Sequence, residues 1–336
     1  MALNPTTPRR AAIVGCGDVS VIHAEAIEAI EGIELVAVCD ADPDQLEAAA
    51  RDLGAAGYDD LGQMLAEARP DVVHVTTPHH QHVQATIDCL AAGVHVIQEK
   101  PLAHTIEEGE RLVAAARTAS AKVGICFQNR YNVSSEEARR IIDSGLLGEI
   151  RGAYASVVWS RTADYYLNRP WRGTFAESGG GLLINQAIHT LDLVQWLMGD
   201  VVAVDGHAAT RKFADVIEVE DTAEALFTHA SGAQTSFYAT LTAPVHRPVE
   251  IEIYGDHGAL AIRNGLTLTL EDGTVEVFPE RQVASAGRTY WGVSHEILIR
   301  DFYARLEDPE PFWISPAEAM KPLHMLKTIY DQTHGK

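Results

Sequence analysis

The segment Ala11–Ser20, AAIVGCGDVS, constrains the fold more than any other stretch of the chain. Four apolar residues run into Gly15-Cys16-Gly17, the pattern of a buried strand that breaks into a tight turn at the mouth of a helix. Gly15 permits the turn. Gly17 lets backbone amides approach a pyrophosphate, which the helix N-terminus attracts. Asp18 and Val19 complete the expected phosphate-facing turn. Ser20 stands where the dinucleotide fingerprint has its third glycine, so the motif by itself is weak. Its context strengthens it. A second apolar run, Ile33–Cys39, follows one helix later and ends at Asp40, where an acid can bind the ribose hydroxyls of NAD. The competing reading is an ordinary βαβ turn with a surface aspartate. Strand, turn, helix and acid in register favour the dinucleotide.

Strand and helix signals then alternate with short connections. Helical patterns cover Val21–Ile30, Asp44–Leu53 behind Pro43, Leu61–Ala68, His82–Ala92 and Thr105–Ser120. Apolar strand runs cover Asp71–Thr77, His95–Gln98 and Lys122–Phe127. This alternation predicts a doubly wound parallel sheet with helices on both faces, over residues 1–127.

In such sheets ligands bind at the carboxyl ends of the strands. Three unusual sequences fall there: Thr76-Thr77-Pro78-His79-His80-Gln81-His82, Glu99-Lys100-Pro101 and Gln128-Asn129-Arg130-Tyr131. Threonine hydroxyls at a strand end bond a ribose or phosphate, or simply cap a turn. The histidines lie across a Pro-broken loop with no cysteine beside them, so no metal is expected. A lysine held between a glutamate and a proline at the end of a buried strand can hydrogen-bond a reacting hydroxyl; a solvated loop lysine is the alternative. The expected cofactor contacts are Gly15, Gly17, Asp18, Val19, Asp40, Thr76, Thr77, Pro78, His82, Glu99, Lys100 and Gln128.

Residues 128–336 read differently. A short helix, Ser134–Ser144, and a long strand, Glu149–Ser160, precede an aromatic and arginine-rich loop, Thr162–Ser178. Gly179-Gly180-Gly181 opens a strongly apolar helix, Leu182–Met198, on which Asn185 and His189 lie four apart and so share a face. A core histidine satisfied by a neighbouring amide is the alternative there. From Val201 to Phe278 short strands alternate with Gly, Asp and Asn turns, predicting a large, mostly antiparallel sheet. Val293–Leu306 and Ser315–Thr333 read as closing helices that pack back on the first domain or on the second.

Composition sets outer limits. A net charge of −21 disfavours nucleic acid and anionic membrane surfaces. No apolar run reaches the length of a membrane span, and the first residues, MALNPTTPRR, lack the apolar core of a signal peptide. A short disordered tail and a cytoplasmic location are expected. Cys16, Cys39, Cys89 and Cys126 sit in or beside apolar runs without CxxC spacing, as buried free thiols do.

GCGDVS, the strand ending in Asp40, TTPHHQH and EKP, in this order and spacing, resemble the Gfo/Idh/MocA oxidoreductases, the family of glucose–fructose oxidoreductase and inositol dehydrogenase. GGGLLINQAIHTLD is similar to the family segment that carries an Asp or Asn with a His four residues later. The resemblance implies a catalytic group of Lys100, Asn185 and His189, and a second-domain sheet used for oligomer contacts. It implies NAD-dependent hydride transfer from a sugar or cyclic polyol, with Lys100, Asn185 and His189 facing the substrate. Tyr165, Tyr166, Trp171 and Arg172 are candidates for the sugar-facing wall, since an aromatic face packs on C–H bonds while arginine bonds hydroxyls; an interface or lid is the alternative reading of that loop. A lysine of the first domain and an imidazole of the second must then reach one carbinol. Several polyol dehydrogenases of the family have aspartate where this chain has Asn185. Aspartate can raise the pKa of an imidazolium partner; asparagine can only orient it. Asp40, with no arginine at Ala41 or Asp42 to receive a 2′-phosphate, predicts NAD over NADP. Two alternatives stay open: a glycosidase- or dehydratase-type member that recycles NAD within one turnover, and a cofactor-binding regulator that does no chemistry.

Overall fold

The computed structural model describes residues 8–281 and 294–334. The chain divides into two compact units, Met1–Gln128 with Ser285–Met320, and Asn129–Ala284 with Lys321–Lys336. Residues 1–7 of the expected tail and Val293 of the expected closing helix lie outside the described residues.

In the first unit the elements run β1 (Arg9–Val14), α1 (Ser20–Ala29), β2 (Ile33–Cys39), α2 (Pro43–Leu53), β3 (Ala56–Tyr58), α3 (Leu61–Ala68), β4 (Val72–Val75), α4 (His82–Ala91), β5 (His95–Gln98), α5 (Ile106–Thr118) and β6 (Val123–Ile125). The strands form one sheet in the order β3-β2-β1-β4-β5-β6. All pairs in it are parallel. The order reverses beside β1, so the ends of β1 and β4 flank the point where such sheets take ligands. The interior strands are apolar on both faces, as helices on both sides require: Ala11, Ala12, Ile13, Val72, Val73, Val96 and Ile97 are fully buried.

Local chemistry sets most boundaries. Asp42 caps α2 by accepting from Asp44 and Gln45 amides, and Gly54 ends the helix in the left-handed region. Thr105 caps α5 through the Glu108 amide. One element was not legible. β3 reads Ala-Gly-Tyr and is only half-buried at best, so neither length nor hydrophobicity marks it; pairing with β2 makes it a strand.

The second unit holds α6 (Val133–Asp143), β7 (Ile150–Val158), α7 (Asp164–Leu167), α8 (Phe175–Ser178), α9 (Ile188–Met198) and then β8 (Val201–Ala209), β9 (Thr222–His229), β10 (Gln234–Thr240), β11 (Glu250–Gly255), β12 (Gly258–Ile262), β13 (Gly265–Leu270) and β14 (Val275–Pro279). Its eight strands are ordered β14-β13-β12-β11-β7-β10-β9-β8. Only the β7–β10 pair is parallel; the others are antiparallel. The closing helices are α10 (Ser294–Ala304), in the first unit, and α11 (Pro316–His334), whose last part belongs to the second. Among the described residues no helix is long and apolar enough to cross a membrane.

Two expectations change here. The stretch Thr162–Ser178 is not plain loop: α7, a 3-10 turn at Pro170–Gly173 and α8 fold it into three short turns. The expected α-helix Leu182–Met198 opens with a π turn, Leu183–Ala187, before α9 begins. Such turns insert one residue into the helical register, often at functional sites.

Candidate active site

Gly15 adopts φ +91°, the left-handed region. A β-carbon there would lie 2.6 Å from the Thr77 amide nitrogen and 2.7 Å from the Thr76 carbonyl carbon, so β4 presses directly on the turn. The turn is also tied to β4 by the Thr76 hydroxyl, which donates to the Gly15 carbonyl at 2.5 Å. Ser20, at the third-glycine position, is buried and donates its hydroxyl to the Gly17 carbonyl at 2.7 Å. No side chain caps α1; the Ser20 and Ile22 amides turn back on the Gly17 and Val19 carbonyls at 3.1 Å each, and the helix N-terminus keeps its attraction for an anion. Nothing lies within 4 Å of where a Gly17 β-carbon would be, which keeps the approach open. Asp40 accepts from the Cys16 amide at 2.6 Å and the Asp42 amide at 2.8 Å. Both bonds aim its carboxylate, and each oxygen keeps lone-pair capacity for a ribose hydroxyl.

Among the buried polar atoms of this unit with no hydrogen-bond partner among the described residues are Thr77 Oγ1, just past β4, and Gln128 Oε1, just past β6. Buried polar atoms are seldom left unpaired. Both lie past strand ends at the carboxyl edge of the sheet, the edge that carries the Gly15 turn and Asp40, and they fit a dinucleotide.

Three expected cofactor contacts face elsewhere. The Thr76 hydroxyl is spent on the turn. His82 is 1% exposed and points its ring nitrogens at the carbonyls of Pro101 (2.8 Å) and Thr77 (2.9 Å), pinning the loop after β4 to the loop after β5. Burial lowers its pKa, and those two carbonyls oppose the shift. Glu99 is 4% exposed and turns inward. Its Oε1 meets His23 Nε2 and His295 Nε2, each at 3.1 Å, and its Oε2 accepts from the Lys100 amide at 3.2 Å. His23 Nδ1 lies 2.8 Å from His74 Nδ1, and His74 Nε2 lies 3.0 Å from the Tyr303 hydroxyl.

One proton assignment satisfies this chain. A neutral imidazole offers one donor and one acceptor. If His23 donates to Glu99, its Nδ1 must accept from His74, whose Nε2 then accepts from Tyr303. Burial alone would raise the Glu99 pKa, but the hydrogen bonds from His23 and His295 win and hold it well below the usual carboxylate range. Burial pushes His23 and His74 down. The ligand atoms of His23, Glu99 and His295 all lie within 4.8 Å of one another, close enough for a metal, but hydrogen bonding accounts for them fully. Sequence reasoning missed this network, since a lone histidine on a helix gives no local signal.

Lys100 follows. From Val96 to Ala103 it is the one residue that is not buried. Gln98 braces the loop around it, accepting from the Thr86 hydroxyl at 2.8 Å and donating to the Leu102 carbonyl at 2.9 Å.

In the second unit, every residue from Ser178 to Gln195 is buried except Asn185 and His189. Asn185 donates to the Ser178 hydroxyl at 3.0 Å. Buried Glu220 anchors the start of the segment: it accepts from the amides of Gly181 and Leu183 and from the Tyr330 hydroxyl, each at 2.8 Å. Burial raises its pKa against those bonds. A β-carbon at Gly181 would lie 2.0 Å from the Glu220 carbonyl oxygen, so the approach requires glycine. Further along, Asp192 accepts a bidentate pair from Arg130 at 2.8 and 2.6 Å. Both side chains are 1% exposed, and the guanidinium lies 5.4 Å from the Trp196 ring centre.

The aromatic stretch docks on the same segment, Gln186 donating to the Tyr165 hydroxyl at 2.7 Å. Arg161 and Arg172 lie 5.2 and 4.6 Å from the Tyr165 ring centre. Arg161 also covers Trp159 at 5.3 Å, and Arg172 covers Trp171 at 5.7 Å. Tyr166, expected to face substrate, is 2% exposed and packs on Phe213 instead, because α7 turns successive side chains to different sides. Trp159, Arg161 and Gln186 escaped sequence reasoning; a Trp-Ser-Arg at the end of a strand looks like any solvated strand end.

Residues 9–127 match the GFO/IDH/MocA model described as an oxidoreductase family with an NAD-binding Rossmann fold, and residues 135–261 match the GFO/IDH/MocA C-terminal domain. The chain is 34% identical over 210 residues to the D-glucoside 3-dehydrogenase of Escherichia coli (strain K12), covering 60% of this chain and 58% of that protein. It is 26% identical over 300 residues to inositol 2-dehydrogenase 2 of Saccharopolyspora erythraea, covering 88% and 80%. The crystal structure of the WlbA dehydrogenase from Chromobacterium violaceum, in complex with NADH and UDP-GlcNAcA, superposes with a TM-score of 0.87 at 30% identity, covering all of this chain and 96% of that one.

Proposed function

The chain belongs to the Gfo/Idh/MocA family of NAD-binding oxidoreductases, and on that premise we propose that it moves a hydride between a sugar or cyclic-polyol carbinol and NAD. The observation that carries the catalytic assignment is that a segment buried from Ser178 to Gln195 comes to the surface at Asn185 and His189 alone. A buried helix that spends its two open positions on an amide and an imidazole keeps them for a ligand.

NAD, when bound, supplies the hydride acceptor. His189 takes the hydroxyl proton of the carbinol as its hydride leaves. The Lys100 ammonium bonds the same oxygen and stabilises its developing negative charge. Asn185 orients the imidazole or a neighbouring hydroxyl. It carries no charge, so His189 works with less electrostatic help than an aspartate there would give, or Lys100 shares the proton work. Tyr165, Trp171 and Arg172 face the sugar. On the cofactor side, Gly15, Gly17, Asp18, Val19, Asp40, Thr77, Pro78 and Gln128 hold the dinucleotide, while Thr76, His82 and Glu99 act by holding the loops that carry it.

Asp40 also sets cofactor choice. Its carboxylate, aimed by two amides, suits ribose hydroxyls and repels a 2′-phosphate. NAD therefore binds more tightly than NADP in a fluorescence titration; the reverse order overturns this assignment. The protein works as a homodimer or homotetramer, which the apolar side chains exposed on the large sheet support. Four free cysteines support a reducing cytoplasm.

The deciding experiment is steady NADH production from a panel of sugars and polyols. Lys100→Ala and His189→Ala each lose about 10²- to 10⁴-fold in kcat with unchanged circular dichroism. Wild-type turnover in both variants ends the catalytic assignment. A single stoichiometric burst of bound NADH, with release of a cleaved product, points to internal recycling instead.

A further inference from the structure

Resting on that reading, we propose that the substrate is an anionic sugar, its carboxylate or phosphate held by Arg161 against the Tyr165 ring. The argument begins with what stacking leaves unused. Arg161 lies 5.3 Å from the centre of Trp159 and 5.2 Å from the centre of Tyr165, so both contacts engage the π faces of its neighbours. A guanidinium carries five N–H donors in its own plane, and stacking satisfies none of them. Among the described residues the one acceptor that Arg161 reaches is the Ser160 carbonyl, 3.1 Å from Nη1. Its Nε is buried and has no partner among the described residues. No carboxylate stands within ion-pair reach of Arg161 among them either.

Many arginines of this chain do pair with one. The chain has 47 acidic residues to 26 lysines and arginines, so a guanidinium finds a carboxylate easily. Arg130, Arg139, Arg151 and Arg263 all do. A cation kept from such partners, with a buried donor unfilled, is reserved for an acceptor that arrives from outside.

Placement ties it to the reaction. The Tyr165 hydroxyl accepts from Gln186, the residue after Asn185 and three before His189. Arg172 covers the same ring at 4.6 Å. A neutral sugar needs only an aromatic floor and single hydrogen bonds. A guanidinium held against such a ring with edge donors unfilled matches an oxyanion, whose paired oxygens accept the parallel N–H donors of an arginine edge.

The test uses the full-length protein and probes that differ in charge alone. D-glucuronate is compared with D-glucose, D-galacturonate with D-galactose, and glucose 6-phosphate with glucose, by quenching of tryptophan fluorescence; Trp159 and Trp171 sit against the two guanidiniums. At least one anion binds about 10-fold or more tightly than its neutral partner. The uronate and phosphate arms tell which oxyanion is the fit. Arg161→Met, which keeps length and apolar bulk, removes the preference, and Arg161→Lys restores part of it. Equal binding of anion and neutral partner in every pair overturns the proposal, whether or not the variants fold, and so does an unchanged preference in a folded Arg161→Met. NADH formation on the same pairs separates the two claims. Turnover of neutral sugars without any anion preference leaves the dehydrogenase standing and removes the oxyanion subsite. Selective anion binding with no NADH from any substrate does the opposite.

Discussion

At Gly15 one β-carbon separates a phosphate-binding turn from a collision. With φ at +91° and the Thr77 amide 2.6 Å from where that atom would sit, Gly15→Ala strains the turn and drives β1 from β4. The expected cost is about 1–3 kcal/mol in urea unfolding, together with loss of NAD binding by calorimetry. The buried histidines make a second prediction. His74 is neutral in the folded protein because burial, then neighbouring His23, puts its pKa well below the ordinary 6.5. Between those two values the unfolded chain binds the extra proton, so stability is full above pH 6.5 and falls as the medium turns acidic. His23 and His82 act in the same direction. Glu220, whose pKa burial raises, acts in the other: its contribution is largest at low pH and fades as pH rises through its folded value. Comparing wild type with His74→Gln isolates one member. Glutamine can still accept from Tyr303 and donate to His23, but it does not titrate. The pH dependence of stability just below pH 6.5 therefore becomes shallower by up to about 1.4 kcal/mol per pH unit. An unchanged slope means that His74 is already protonated in the folded protein.

The helix that bears His189 is secured at both ends by buried charge. Glu220 gathers the amides at its start, and Arg130 grips Asp192 one turn beyond His189. Asp192→Asn leaves a guanidinium buried without its counter-charge, at a cost of about 3–5 kcal/mol. Arg130→Met with Asp192→Leu removes both charges and costs less than either single change. Chemical denaturation of Arg130→Met, Asp192→Leu and the double variant checks this; additive losses would mean that the pair is not coupled. This element also marks a limit of pattern reading. The apolar run and the glycines announce a helix over Leu182–Met198, but not that Leu183–Ala187 winds as a π turn. The amides of Gly181 and Leu183, at the start of that turn, reach a carboxylate 39 and 37 residues away, which no local pattern announces. Nor does the short strand β3 announce itself, since β2 supplies the pairing that makes it one.

At the scale of the molecule, the eight-stranded sheet leaves large apolar side chains in the open. Tyr154, Leu226, Tyr238 and Tyr254, on β7, β9, β10 and β11, are 36–44% exposed. The strand register puts them on one face: Tyr154 opposes Ser236 and Glu252, Tyr238 opposes Glu224, and the others follow two residues along. Such a face favours self-association. Light scattering on the eluted protein shows a dimer or tetramer, and Leu226→Lys with Tyr238→Lys shifts it to monomer without loss of secondary structure. A wild-type monomer removes this role for the sheet. What the chain determines by itself is whatever lies within a few residues. A strand, a Gly-Cys-Gly turn and an aspartate at the next strand's end sit in register along one stretch, and the rhythm of apolar residues lays out both sheets. Only the folded structure decides which polar groups meet. Glu99 and His295 are 196 residues apart and His74 and Tyr303 are 229, yet they share one buried chain of hydrogen bonds, which turns Glu99 inward and leaves Lys100 half-buried beside it. Periodicity is a property of neighbours along the chain, whereas a buried donor takes the acceptor that packing brings to it.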